Sequence, residues 1–426
     1  MIGMPAGGVL RRAARRMRQR RAALAAFLAV MGPGIITGFA GNDAGGVTTY
    51  TAVGARYGFA LLWLLFLSTI GLIVIQEMCA RMGAVTGKGL SDLIRERFGV
   101  RWTIVAMLAL LVANGSNVAA EYAGIAASLE LLGVQRIVSV PLAGVVIWTL
   151  VVFFSYRVVE RALFVLVLAF VAYPISAFIV RPDWDAVARG LVLPTLSGEQ
   201  SALIAALALV GTTITPYMQF YMQASIVDKG IDADLYRFAR VDVLLGAILT
   251  GVNGFFMVVV AGAVLFPAGV TVASAADAAR SLGPLAGGSA ELLFGIGLFG
   301  ASLLAATVMP LSTSYAVCEA FGWESGISKN FREAPAFMGL FTLLLVVGAL
   351  VVLIPGLPLV PLILISQNVN GLLLPIVLVF VLRLASDRTI MRDQANGPIA
   401  NALGTGTAVL ASALSLGLVA VTLAGL

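Results

Sequence analysis

The sequence specifies an all-α protein that crosses a membrane eleven times, with five helices in each of two inverted halves and an eleventh helix beyond them. Three observations carry this. Of 426 residues, 60% are hydrophobic and only 11% are charged, against about 45–50% and about 25% in an ordinary soluble domain. The apolar residues form eleven runs long enough to span a bilayer, and the mean hydropathy is +1.02. The first and sixth of these runs are interrupted by Gly, Asn, Asp, Thr and Pro. This composition excludes a soluble enzyme, a disordered chain and a disulfide scaffold.

Residues 1–21 form a basic tail, with seven arginines between positions 11 and 21 and no acid among them. The apolar run that follows passes through Gly32-Pro33-Gly34 to Asp43 without a signal-peptide cleavage site, so the tail reads as an uncleaved cytoplasmic anchor. The transmembrane unit, 22–426, has spans near 22–56, 59–80, 102–132, 138–155, 159–180, 201–226, 241–266, 287–320, 335–355, 358–383 and 399–424. With the N-terminus inside, 22 of the 27 Lys and Arg fall in inner segments and five in outer ones. That bias orients the chain with a cytoplasmic N-terminus and an outer C-terminus, as expected for a multi-pass protein of a bacterial inner membrane. Cys79 and Cys318 stand far apart in apolar stretches and read as small buried residues. The chain has no histidine, so an imidazole ligand or proton relay is impossible.

The interruption of the first span lies near 41–46, within Gly38-Phe39-Ala40-Gly41-Asn42-Asp43-Ala44-Gly45-Gly46. Four glycines with an Asn-Asp pair make poor helix. The sixth span breaks near 211–216, at Gly211-Thr212-Thr213-Ile214-Thr215-Pro216, where proline removes a backbone donor. Non-helical backbone at membrane depth is tolerated only where it lines a cavity or is buried in protein. Breaks at corresponding places in two halves point to a midplane transport site and alternating access. An odd number of helices per half makes the repeat inverted.

Polar residues at membrane depth supply the candidates for that site. An intramembrane carboxylate costs about 2.5–3.5 kcal/mol on insertion scales and so serves a pathway or a partner. Asp43 either anchors a cation together with freed carbonyls or caps the half-helix that follows. Thr212, Thr213 and Thr215 offer oxygens from the facing break. Glu121 stands beside Asn114, Ser116 and Asn117 in the third span, either as a buried, hydrogen-bonded carboxyl or as an ion or proton relay. Ser366, Gln367, Asn368 and Asn370 form an amide cluster in the tenth span. Gln76, Glu77, Asp242, Glu291 and Glu319 lie nearer span ends, and Met218, Met222 and Met309 read as core filler.

These residues resemble the Nramp metal transporters. The likeness runs through Gly32-Pro33-Gly34, Asp43 to Gly46, Tyr57-Gly58, Thr86-Gly87-Lys88, Glu121 to Gly124, Gly211 to Pro216, Asp242, Ser366-Gln367, Pro375 and Ser386-Asp387. It covers nearly the whole chain in order and implies a LeuT-like fold. It also implies metal ligation by Asp43, by the residue at Gly46, by the carbonyl of Thr212, by the residue at Thr215 and by Gln367. Several positions depart from the family pattern. Gly46 replaces a ligating asparagine, Ala44 a proline, Thr215 a methionine and Tyr217 a histidine. The family's proton-pathway aspartate falls on Val118, whereas Glu121 matches its nearby glutamate.

A thioether favours softer ions such as Mn²⁺, Fe²⁺ and Cd²⁺, so its replacement by a hydroxyl leaves an all-oxygen set with one carboxylate. Magnesium is commonly held by one or two carboxylates with several retained waters. The pattern resembles the Nramp-related magnesium transporters, and the losses at Val118 and Tyr217 argue against proton coupling. The expectation is therefore a secondary transporter of a divalent cation, Mg²⁺ before Mn²⁺. Proton-coupled Mn²⁺ or Fe²⁺ import through Glu121, an amino-acid symporter and a receptor-like sensor stay open beside it. No P-loop, nucleotide fingerprint or nucleophile–base pair appears, so neither an enzyme nor a cofactor is expected. The partners expected are the cation and the lipid bilayer, with no nucleic acid.

Overall fold

The computed structural model describes residues 34, 38, 41–153, 171–196, 199–326 and 329–424. The basic tail of residues 1–21, much of the first half of span one and most of span five lie outside the described residues. Among the described residues, nine helices are long and apolar enough to cross a membrane. The first half of the chain contributes α1 (Ala44–Tyr57), α2 (Leu62–Thr86), a short surface helix α3 (Leu90–Phe98), α4 (Val100–Glu130), α5 (Arg136–Phe153), α6 (Ala172–Val180) and a second surface helix α7 (Trp184–Val192). The second half contributes α8 (Gln200–Thr213), α9 (Pro216–Asp228), α10 (Tyr236–Val264), α11 (Ala290–Phe321), α12 (Pro335–Val352) and α13 (Leu359–Ser386), with α14 (Pro398–Ala424) beyond them.

The packing follows the inverted halves. α2 lies on α9, and its counterpart α10 lies on α1, so each half's second helix supports the other half's broken one. The counterparts α4 and α11 pack on each other at the centre, and α13 closes over α4, α8 and α1. Leu142, Phe153, Leu350, Ile365 and Leu416 each leave at least 60% of their surface uncovered on the outside of this bundle. In water each would be destabilising, but in hydrocarbon no such penalty arises, and the chain is an integral multi-pass membrane protein.

Both breaks are narrower than the sequence suggests. Among the described residues the first covers 41–43, since α1 begins at Ala44. Asp43 is extended (φ −71°, ψ −172°) and its carboxylate accepts the Gly46 N–H, so the helix restarts at once and Gly45 and Gly46 are helical. The second occupies Ile214 and Thr215. Pro216 disfavours helical geometry at Thr215 (φ −70°, ψ 136°) yet suits the first position of the next helix, so α8 stops and α9 starts within two residues.

Candidate functional site

The site is built around the N-terminus of α1. Asp43 Oδ1 accepts from Gly46 N at 2.7 Å, and Glu121 Oε2, reaching from α4, accepts from Ala44 N at 3.1 Å. Two carboxylates from different helices therefore share the positive end of one helix. Both are buried, at 1% and 0% exposure. Glu121 Oε1 has no hydrogen-bond partner. Among the described residues, no three His, Cys, Asp or Glu converge on one point. A cation here would thus meet at most two carboxylates, completed by neutral oxygens.

α13 brings a carboxamide beside the carboxylates, with its nitrogen the atom nearest Gly45. Gln367 lies against Gly45 so closely that a Cβ on that glycine would overlap its carboxamide. The same stretch of α13 runs backbone to backbone against Gly211, where a Cβ would overlap the Gln367 carbonyl and Gly371. Glycine at 45 and 211 thus draws α1, α8 and α13 together beside the break. From the second break, Thr215 Oγ1 donates to the Thr212 carbonyl at 3.2 Å, while the Thr212 hydroxyl is buried without a partner. Two ligands at right angles around an ion at about 2.1 Å stand about 3.0 Å apart. The two threonine oxygens are already close to that spacing.

The predicted residues fall into two groups. Asp43, Gly46, Glu121 and Gln367 surround the start of α1, and Thr212 and Thr215 form the other pair. Among the described residues, no hydrogen bond joins Asp43 to either threonine. The two breaks are instead linked by Tyr50 of α1, whose hydroxyl lies 3.2 Å from Thr213 Oγ1. Thr213 donates to Leu209 O, so Tyr50 is the donor in this pair. Sequence reasoning passed over Tyr50, although it stands two helical turns from Asp43 and hence on the same face. Asn117 belongs to an amide network with Gln367 and Asn370. Tyr217 is buried, and its carbonyl accepts from Ser312 Oγ at 3.3 Å.

One sulfur stands nearer than expected. The Met218 methyl packs against Gly41 in the first break, so this methionine is more than distant filler. Its sulfur accepts from Gln76 Nε2 of α2 at 3.7 Å. Val118 packs tightly against Gly348 of α12, a helix without ionisable residues.

Known proteins resemble this chain over most of its length. The family model for natural resistance-associated macrophage protein-like (Nramp) proteins matches residues 34–421. A divalent metal cation transporter, MntH, of Bacillus subtilis is 30% identical over 67% of this chain and 69% of its own length. The crystal structure of a manganese transporter from Eremococcus coleocola, in complex with an aromatic bis-isothiourea substituted compound, superposes with a TM-score of 0.76. It is 21% identical and covers 93% of this chain and 86% of its own. The structure of MhsT with L-phenylalanine is 18% identical and aligns with a TM-score of 0.56 over 92% of this chain and 98% of its own. The fold is the LeuT-like inverted repeat of five plus five helices with an eleventh added, and the chain belongs to the Nramp family.

Proposed function

We propose that this protein is a secondary transporter that moves a divalent metal cation by alternating access, preferring Mg²⁺ and accepting Mn²⁺, without coupling to protons. One observation carries the cation reading: the protein's own carboxylates, Asp43 and Glu121, occupy the N–H groups of Gly46 and Ala44. A vacant helix N-terminus would receive the carboxylate of an amino acid. Here that place is filled from within, and the negative charge brought to the break favours a cation. Membership of a family that includes divalent metal cation transporters supports the same class.

The preference for a hard ion rests on donor chemistry. Asp43, Gln367, the Thr212 carbonyl and Thr215 offer oxygen only, and the thioether of Met218 is turned toward Gln76. Absence of proton coupling is supported by Val118 and by an α12 that carries no titratable group. A second reading, proton-coupled Mn²⁺ import, draws on the contact of Glu121 with Ala44, which places a carboxyl group beside the break. The chain lies in a bacterial inner membrane with its N-terminus in the cytoplasm, according to its charge bias. Uptake of Mg²⁺ and Mn²⁺ into proteoliposomes, with luminal pH recorded, tests these statements together. The parent should accumulate Mg²⁺ at constant pH, and Asp43→Ala should lose uptake. Equal flux in both proteins removes Asp43 from the mechanism, acidification during uptake selects the second reading, and no flux of either ion retires the cation reading.

A further inference from the structure

The route from the break toward the inner end of the bundle carries its own chemistry. Asn114, Asn117 and Glu121 share one face of α4 at helical spacing, and all three are fully buried. At 1.5 Å per residue, Asn117 stands about 6 Å and Asn114 about 10 Å from Glu121 toward the start of α4. α13 runs antiparallel to α4. The Arg97–Asp387 ion pair, at 2.8 Å, joins the start of α4 to the end of α13, and Arg136 donates to Leu357 O at 2.8 Å at the opposite end. Asn370 therefore lies on the same inner side, about 4.5 Å beyond Gln367.

At that level Asn117 and Asn370 exchange two hydrogen bonds, each carboxamide donating to the other at 2.9 Å. Gln367 joins them: its Oε1 accepts from Asn370 at 3.0 Å and its Nε2 donates to Asn117 Oδ1 at 3.4 Å. Three neutral amides thus close the gap between α4 and α13 directly inside the break. On either side of this clasp a buried oxygen lacks a partner, Glu121 Oε1 toward the break and Asn114 Oδ1 beyond it. Both orphans are acceptors. A buried acceptor without a donor calls for an ordered water or an ion.

We infer that the Asn117–Asn370–Gln367 clasp is a second binding station, one that receives the water shell of the divalent cation rather than the bare ion. The inference rests on the divalent-cation reading of the break. Neutral amides cannot replace the hydration of a stripped dication, but their oxygens accept readily from the waters it retains. Mg²⁺ sheds water reluctantly and arrives with donors arrayed around it. Each amide oxygen then exchanges an amide donor for a water donor, and the N–H groups this frees have Glu121 Oε1 and Asn114 Oδ1, two acceptors without donors, on either side of them. A station without its own charge also holds the ion weakly enough to release it. Gln367 contacts both the break and the clasp and couples the two stations.

Cobalt(III) hexaammine tests this, because its six inert ammines present N–H donors as the waters of hydrated Mg²⁺ do and cannot be displaced by protein ligands. The full chain in proteoliposomes is assayed for Mg²⁺ and Mn²⁺ uptake with the complex on both sides. It should inhibit the parent, and its potency should fall about tenfold in Asn117→Leu and Asn370→Leu, as the loss of one or two hydrogen bonds implies. The same variants should lose Mg²⁺ uptake more than Mn²⁺ uptake. Asn370→Asp, which keeps acceptor oxygens, should stay sensitive. Asn117→Ser and Asn370→Ser serve by the same criterion if the leucine variants do not fold. No cation uptake by the parent without the complex refutes the divalent-cation reading. Uptake that the complex does not inhibit, or inhibits equally in parent and leucine variants, overturns the clasp alone.

Discussion

Replacing Gly38 by alanine should loosen Gly34 and Gly38 from α10. Asp242, Gly246 and Thr250 lie one turn apart along α10 and meet Gly34 and Gly38. Gly34 N donates to Asp242 Oδ2 at 2.7 Å, and Thr250 Oγ1 donates to Gly38 O at 2.8 Å. A Cβ on Gly38 would stand 2.5 Å from the Gly246 carbonyl oxygen, whereas ordinary contact begins at 3.4 Å. The two segments must therefore part by about 0.9 Å. That stretches the Thr250 bond to about 3.7 Å, beyond hydrogen-bonding range, and strains the charged one at Gly34. Loss of the first costs about 1 kcal/mol, and weakening of the second raises the total to about 1–3 kcal/mol. Alanine's advantage in helix propensity applies whether the segment is docked or displaced, so it cancels. The docked arrangement should lose about five- to 150-fold in population against the displaced one.

Val243 reports on this contact, since it is fully buried and its backbone nitrogen lies against Gly34. A Val243→Cys reporter, in a Cys79→Ala and Cys318→Ser background, is labelled in detergent with a water-soluble maleimide. Gly38→Ala should raise the labelling rate fivefold or more. Gly339→Ala, where an added Cβ meets open space, should leave it unchanged. An unaltered rate in a Gly38→Ala protein that still folds would refute the reasoning.

Other substitutions probe the break and its surroundings. Thr215→Met returns a thioether to the second break, so Cd²⁺ should become a stronger competitor of Mn²⁺ uptake; unchanged inhibition would place the cation away from Thr215. Glu121→Gln keeps an acceptor for Ala44 N–H and should fold normally, whereas Glu121→Leu leaves that N–H buried and unpaired and should lower stability by about 1–3 kcal/mol, measurable as a lower melting temperature in detergent. Tyr50→Phe removes the bond to Thr213 and should cost about 1 kcal/mol, with no effect expected if the two breaks are held together by packing alone. Just beyond the end of α13, the Thr389 hydroxyl and backbone N–H, followed by Arg97, hold the Asp387 carboxyl below the usual carboxylate range. A depressed value means that its stabilisation is complete above the ordinary pKa near 3.9 and fades as pH falls through the lowered one. The melting difference between parent and Asp387→Asn should accordingly persist at neutral pH and close only in more acidic solution.

The membrane class, the interrupted spans and most of the candidate ligands were legible from the chain alone, for a local reason. A run of apolar residues, a glycine-rich gap with Asn42 and Asp43, and a proline after Thr215 act on the backbone beside them and need no partner to be understood. Asp43 and Glu121 also announce themselves, because an ionisable group at membrane depth is costly wherever it sits. What each carboxylate touches was decided by the tertiary structure. Whether Asp43 capped a helix, whether Glu121 reached Ala44 from 77 positions away, and whether Asn117 faced Asn370 depended on how α4, α13 and α1 pack. The same holds for Met218, whose sequence position does not say that its methyl rests on Gly41 while its sulfur turns to Gln76. Backbone breaks follow from neighbours in sequence, but a binding site follows from neighbours in space, and those are fixed only when the inverted halves close on each other.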